Sequence, residues 1–545
     1  MNWTQNYTPV VGSLLLSAAA VAVPLVVLLV LLGIFRKPGW LCALAALATA
    51  FAILTTLNGM PISLALSASA YGAAFGLFPI CWIMFWSIVL YRMTLKMKRF
   101  EVIKDSIGSL TSDRRLQALL IAFCFGAFVE GAAGFGAPVA VAAAMLTGLG
   151  FSPFYAAGIC LLANTAPVAF GSIGIPVITL AGITGLKPDV LSAMVGRLCA
   201  PVSLFIPAYL VLVMGGWRAL RGVWPAAAAC GLAYAATQLI VSNLLGPQLT
   251  DILSSLAGIG ALLVVLKSWK PKDTFSLPGD RPSVSHPTHH SASEIFNAWL
   301  PYGLLVLCVL TWGSAWVKPL LARQTFLFDW PLLHNAVIQQ APAVARSAAY
   351  AARFRVDWLA AAGTACLLAC VLTAIAGRMR PIVFLGVVKE TAVQLARPVL
   401  TVCTVLALAF LMNYSGATAT LGLALAGTGA AFPFFSAMLG WIGVFLTGSD
   451  TSANALFGSL QVVTANRLGL SPVLMAAANS SGGVMGKMIS LQSIAVAVAA
   501  TGLAQQDESR LFRFTLRHSI LLASIIGAIV MLFAYVLPGW VPAAR

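Results

Sequence analysis

The chain has 545 residues, 60% of them hydrophobic and 9% charged, with a formal net charge of +17 and a mean hydropathy of +0.95. Soluble domains carry roughly 25% charged residues, so the composition excludes a soluble enzyme. The basic residues gather in short loops between apolar runs, which is the positive-inside pattern of a membrane protein rather than a nucleic-acid footprint.

Taken in chain order, the apolar runs reach the ~20 residues that cross a ~30 Å hydrocarbon core. The opening residues lack a basic region, and the run over 10–35 is too long for a signal-peptide core, so it is read as the first span. It is followed by Arg36 and Lys37. A second run covers 39–57 and a third 69–91, ahead of Arg92, Lys96, Lys98, Arg99, Lys104, Arg114 and Arg115. Basic clusters also follow runs at 192–215, 251–267 and 357–376 and precede the last at 516–537. All of them share the cytoplasmic side only if 117–147 and 433–465 each enter and leave on one side. Each holds a polar, Gly-rich tip between apolar halves, so each is read as a re-entrant hairpin, buried in protein or lining a cavity. The expected fold is an all-α polytopic membrane protein with about 12 transmembrane helices, two hairpins and both termini outside.

The two halves match. "FVEGAAGFGAP" (128–138) is followed by "LGFSP" (149–153) and a span near 155–182 interrupted by "ANTAPVAFGSIGIP" (163–176). "FLTGSDTSANALFG" (445–458) is followed by "LGLSP" (468–472) and a span near 472–503 interrupted by "ANSSGGVMGKMIS" (478–490). The charge pattern brings the first hairpin in from the cytoplasm and the second from outside, as in an inverted repeat with discontinuous helices and a midplane site. The first membrane repeat is then 1–266 and the second 295–545, joined by a cytoplasmic polar linker over 267–294. That linker, rich in Pro, Ser and His, reads as flexible, and His286, His289 and His290 read as part of it rather than as a metal site. The ten Cys show no zinc or redox spacing and read as packing residues, and no cofactor is expected. Gly131, Gly134, Gly136, Gly448, Gly482 and Gly483 are read as the residues that permit the backbone breaks.

A charge at the bilayer centre costs ~2.5–3.5 kcal/mol and marks function by default. Four candidates stand out: Glu130, Arg197, Asp450 and Lys487. Glu130 and Asp450 lie at the hairpin tips. A carboxylate in a partly dry cavity can exchange a proton near physiological pH, so both are proton-coupling candidates; Asp450, in "SDTS", equally suits a helix N-cap. Lys487 can attract an anion or pair with a carboxylate. Arg197 lies near the outer end of its span, where snorkelling competes with substrate binding. The breaks expose helix N-termini suited to a carboxylate. Asn164, Thr165, Ser449, Thr451, Ser452, Asn454, Asn479, Ser480 and Ser481 add hydroxyls and amides for a small hydroxylated anion. "GGVMGKMIS" is not a phosphate loop, because Ser481 stands where the motif needs Gly.

"FCFGAFVEGAAGFGAPVA", "LLANTAPVAFGSIGIP", "GVFLTGSDTSANALFG" and "GGVMGKMISLQSIA", with "QNYTP" near the start and "LFRFTLRHS" near the end, resemble the signature segments of the bacterial L-lactate permease family. The resemblance implies a cytoplasmic (inner) membrane symporter that imports L-lactate, with D-lactate and glycolate, together with protons. Its partners would be that small monocarboxylate, the proton and the lipid bilayer, and both termini would be periplasmic. A sodium-coupled di- or tricarboxylate symporter and an anion channel remain the alternatives from the residues themselves.

Overall fold

The computed structural model describes residues 2–134, 136–273, 275–280, 290–314, 316–344, 346–504 and 507–543. Among these, ten helices are long and apolar enough to cross a membrane, or up to 12 if each bent pair is one span. The chain is a multi-pass, all-α membrane protein.

The N-terminal helices are α1 (Leu14–Gly33), whose first turn is capped by Ser13, and α2 (Gly39–Thr56). Then come α3 (Ile62–Phe75) and α4 (Trp82–Lys96). Phe78, with extended φ and ψ, and Pro79 interrupt the helix between these last two. A proline has no N–H to give the helix ladder. A short helix, α5 (Arg99–Gly108), leads to the first hairpin.

The first hairpin has arms α6 (Arg114–Ala132) and α7 (Ala137–Gly148). Asp113 caps α6 by accepting from the Arg115 and Leu116 N–H groups. Arg114 Nη1 donates to Leu149 O at 2.6 Å, so the two open ends lie side by side. The turn between the arms uses Gly134 and Gly136 at φ +59° and +84°, a left-handed backbone that glycine adopts without steric cost.

The first broken span is α8 (Pro153–Ala163) and α9 (Gly171–Thr184), bent by 62°. Next is α10 (Pro188–Leu244), which turns back on itself at Gly215 and Gly216. Ser192 Oγ donates to Ser242 O at 2.8 Å across the fold, so α10 is two antiparallel traverses. Then follow α11 (Thr250–Ser268), α12 (Ala292–Gly313), α13 (Ala362–Ala376), α14 (Pro381–Tyr414) and α15 (Ala417–Leu425).

The second hairpin has arms α16 (Phe432–Thr447) and α17 (Asp450–Leu468). The second broken span is α18 (Pro472–Ile489) and α19 (Leu491–Thr501), bent by 41°. The last helix is α20 (Glu508–Tyr535). It gauges the hairpins' orientation. Near its start Arg510 stacks on Phe154, just past the opening of the first hairpin, 4.6 Å from the ring centroid. At its end the Tyr535 hydroxyl donates to Ala430 O at 2.8 Å, just before the second hairpin opens. An unbroken 28-residue helix spans roughly 40 Å. The hairpins therefore open at opposite ends of the molecule and point their tips at each other.

Three parts of the sequence reading change. First, α18 runs unbroken through Asn479, Ser480, Ser481, Gly482 and Gly483 and yields only at Ser490. Those glycines serve close approach. A Cβ on Gly482 would collide with Ala437 O and one on Gly440 with Asn479 O, so α16 and α18 nearly touch along their backbones. Small residues do this where membrane helices pack without a hydrophobic driving force. Gly131 is likewise within α6, where a Cβ would lie 2.8 Å from Asp251 Cβ. Second, short strands lie beyond α12: β2 (Phe326–Asp329) pairs with β5 (Arg353–Val356), and β3 (Val337–Gln339) pairs with β4 (Ala348–Ala349) and with β1 (Trp3–Thr4). They cap the end where Gln5 Nε2 donates to Asn413 O and Tyr414 O.

Third, the described part of the 267–294 linker is pinned down. Asp273 pairs with Arg115 at 2.9 Å, Leu277 is buried, and Asp280 approaches Arg114 at 3.5 Å. Ser291 and Glu294 form a capping box on α12. His290 lies 3.3 Å from Asp105, while His286 and His289 fall outside the described residues. Among the described residues, no cluster of three or more His, Cys, Asp or Glu could hold a metal ion.

Candidate functional site

The two tips and two breaks converge. In the first break Ser172, Ile173 and Gly174 are all left-handed, at φ 46°, 59° and 75°. Gly171 has no room for a side chain, because its Cβ would fall 2.6 Å from Glu130 Oε1. Ser172 Oγ donates to Ala133 O at 2.9 Å and fastens the break to the first tip. At the second tip Gly448, at φ +70°, ends α16 and Ser449 caps α17 by accepting from Ser452 N–H at 3.2 Å. Lys487 Nζ donates to Gly448 O at 2.6 Å and fastens the second break to the second tip.

A cavity of about 690 Å³ lies between them. Glu130, Ser172, Ser449, Asp450, Thr451, Ser452, Lys487 and Gln492 line its inner end. From there it runs past α4 and α14 to Arg92 and Arg397, at the end of the molecule where the basic loops gather.

The charged groups are arranged unequally. Asp450 Oδ2 accepts from Ser480 Oγ at 2.6 Å and from Asn454 Nδ2 at 3.2 Å, while its Oδ1 has no partner. Glu130 Oε2 has no partner and the side chain is 5% exposed. Lys487 is 8% exposed, and among the described residues the Gly448 carbonyl is the acceptor recorded for it. Glu130 and Asp450 are the two carboxyls whose charge Lys487 feels. An ammonium has three N–H donors, so Lys487 presents open donors to the cavity between two acids.

Of the residues singled out from sequence, Gly134, Gly448, Ser449, Thr451 and Ser452 lie on the cavity wall with Glu130, Asp450 and Lys487. The others do not. Asn454, Asn479 and Ser480 form a polar ladder behind Asp450: Asn479 Nδ2 donates to Asn454 Oδ1 at 2.9 Å and Gln461 Nε2 to Asn479 Oδ1 at 3.1 Å. Asn454 Nδ2 also reaches Pro176 O at 3.2 Å and joins the second hairpin to the first broken span. Thr165 donates back to Leu162 O. Ser481 and Asn164 are buried and do not line the cavity; Asn164 stands behind its wall beside Glu130, and Ser481 beside Cys199. Arg197 is occupied at the surface by Asn243 and by the Trp540 carbonyl.

Sequence reasoning missed Gln461 and Ser436, which continue the ladder at 2.8 Å, and Gln492 on the wall. It also missed Asp251, a fully buried acid on α11 with neither oxygen paired. Its place in the first turn of an apolar run looks like an ordinary boundary acid; the facing Gly131 was the one signal available.

Comparison with known proteins covers the whole chain. A family profile described as L-lactate permease matches residues 17–537. The chain is 47% identical to the L-lactate permease of Bacillus subtilis, over 99% of this chain and 100% of that one. It is 45% identical to the glycolate permease GlcA of Escherichia coli over 99% of each chain. The L-lactate permease of Escherichia coli is 43% identical over 99% and 100%. Among solved structures, the Alcanivorax borkumensis YdaH transporter is similar over 89% of each chain at 15% identity, with a TM-score of 0.46. The chain belongs to the L-lactate permease family.

Proposed function

We propose that the protein imports L-lactate, and with it D-lactate and glycolate, across the bacterial cytoplasmic membrane by proton symport. The relatives named as lactate and glycolate permeases support the substrate class. The observation that carries the mechanism is Lys487, an almost buried ammonium with open donors, set between two carboxyls at the head of the cavity.

The substrate carboxylate binds Lys487, and its 2-hydroxyl reaches the Ser449, Thr451 and Ser452 edge of the second tip. A bound anion adds one negative charge to a site that already holds two acids. Leaving that charge uncompensated in a low-dielectric interior is costly. Uptake of one proton by a site carboxyl restores the balance, so loaded and empty carriers reorient at equal charge. Each acid has one oxygen without a partner, Glu130 Oε2 and Asp450 Oδ1; Glu130 is assigned this role because the other oxygen of Asp450 is already held by Ser480 and Asn454. The basic end of the cavity is cytoplasmic by the positive-inside rule, so this conformation faces inward and both termini are periplasmic.

The test is uptake of labelled L-lactate into proteoliposomes under an imposed pH gradient, with glycolate, D-lactate and pyruvate as competitors. Accumulation above equilibrium that collapses with the gradient is expected. Sodium-dependent uptake at fixed pH would replace this reading with sodium symport, and absence of counterflow would replace it with a channel.

A further inference from the structure

Asp251 sits in the first turn of α11, 1% exposed, and neither carboxyl oxygen has a hydrogen-bond partner. An acid in a first turn ordinarily complements the helix dipole or accepts backbone N–H groups, and this one accepts none. Its Cβ packs over Gly131, where any side chain would collide, so Asp251 meets α6 at the residue next in sequence to Glu130. Glu130 is the charged group that faces it. On α10 the buried Tyr234 and Cys199 lie within electrostatic reach of it, as Cys124 and Cys230 do of Tyr234. The Tyr234 hydroxyl is buried without a partner, and Asn164 is buried beside Glu130.

An isolated buried carboxyl is too costly to keep ionised unless it is paired or carries a proton. Glu130 lines the substrate cavity; Asp251 does not. Asp251 lies instead just past the 245–249 turn, where Pro247 packs against the left-handed Gly174 of the first break.

We propose that Asp251 is a second proton-carrying carboxyl of the transport cycle, exchanging the proton with Glu130 across the contact between α6 and α11, on a path separate from the substrate cavity. In the transfer an O–H bond at Asp251 breaks as one forms at Glu130 Oε2, directly or across one water. Asp251 is left as a carboxylate and is reprotonated from the 245–249 end. The step rests on the proton-symport reading above.

The test compares wild type, Asp251→Asn and Asp251→Glu in proteoliposomes. Three quantities are read: lactate accumulation under a pH gradient, lactate counterflow at equal pH, and lactate-coupled proton flux by an internal pH dye. Asp251→Asn is expected to lose accumulation and proton flux at least tenfold while counterflow stays within twofold of wild type. Asp251→Glu is expected to regain coupled flux with a displaced pH profile. Wild-type-like accumulation in Asp251→Asn overturns the proposal, as does equal loss of accumulation and counterflow in a variant that elutes as a folded protein. If Asp251→Asn does not fold, the pH profile of Asp251→Glu decides, and an unshifted profile overturns the proposal. Absence of gradient-driven accumulation in the wild type would instead sink the symport reading, and this proposal with it.

Discussion

The two hairpin tips are built alike and satisfied differently. Each carries one acid, each is fastened to the neighbouring break by one hydrogen bond, and both face the same cavity. At the second tip Asp450 is drawn into a ladder through Ser480, Asn454, Asn479 and Gln461. At the first tip Glu130 lies against the bare backbone at Gly171, outside any such ladder, and each acid keeps one oxygen without a partner, Glu130 Oε2 and Asp450 Oδ1. The hydrogen bonds of the ladder hold the second tip's geometry in place, whereas a buried carboxyl outside a ladder can change its protonation without breaking one. The difference assigns anchoring to the second tip and proton exchange to the first.

The largest expected effect breaks that comparison directly. Glu130→Gln should abolish accumulation driven by a pH gradient, a fall of at least about tenfold, and leave counterflow largely intact. Asp450→Asn should lower the amount of folded carrier without changing the proton-to-lactate ratio of what remains. Proteoliposome accumulation, counterflow and dye-reported proton flux check both variants, and the opposite pattern would exchange the roles of the two tips. Lys487→Ala comes next. Losing a hydrogen bond from a charged donor costs ~1.5–3 kcal/mol, which raises the apparent KM for lactate roughly 10- to 150-fold. A wild-type KM with reduced expression would make Lys487 a strut for Gly448 and nothing more.

Much of this was legible in the sequence because charge is scarce in a membrane span. Glu130, Asp450 and Lys487 stood out against apolar neighbours, and the repeated LGxSP step located the two hairpins. Glycine was the ambiguous letter. Gly134 and Gly448 take left-handed backbone at the tips, whereas Gly482 and Gly131 stay helical so that another element can come close. One residue type serves both needs, and only the partner opposite decides between them. The polar run Asn479 to Ser481 misled for the same reason: its groups look like a break, but they find partners or burial within a continuous helix. The strands between 326 and 356 are too short to show a period of two.

A smaller effect sharpens the anchoring half of the comparison. Ser480→Ala removes the 2.6 Å donor from Asp450 Oδ2 and leaves Asn454 as its remaining partner. Under-satisfying a buried acceptor costs ~1–3 kcal/mol, so the variant should melt at lower temperature than wild type in detergent. Ser480→Thr, which keeps the hydroxyl, should recover most of the loss. No change in melting for Ser480→Ala would mean that the ladder is not what holds the second tip.

The smallest effect lies at the hairpin openings, where the contrast is reversed. The base of the first arm is pinned by ions: Arg115, fully buried, binds Asp113 at 2.7 Å and Asp273 of the linker at 2.9 Å. Among the described residues no ion pair lies at the base of either arm of the second hairpin. Hydrogen bonding to Arg115 holds the Asp273 carboxyl below the usual carboxylate range. A depressed carboxylate adds stability above its unfolded value of about 3.9, and that stability is lost as pH falls through the lower folded value. The wild type should therefore lose a small increment of melting temperature below about pH 4, and Asp273→Asn should lack that increment. Asp273 is 52% exposed, so solvent screens the pair and the shift should be about 2 °C or less. Asp113 keeps Arg115 paired in the variant, so the base of the arm stays pinned. A loss of several degrees at neutral pH would show instead that the linker strap, and not Asp113, carries the clamp.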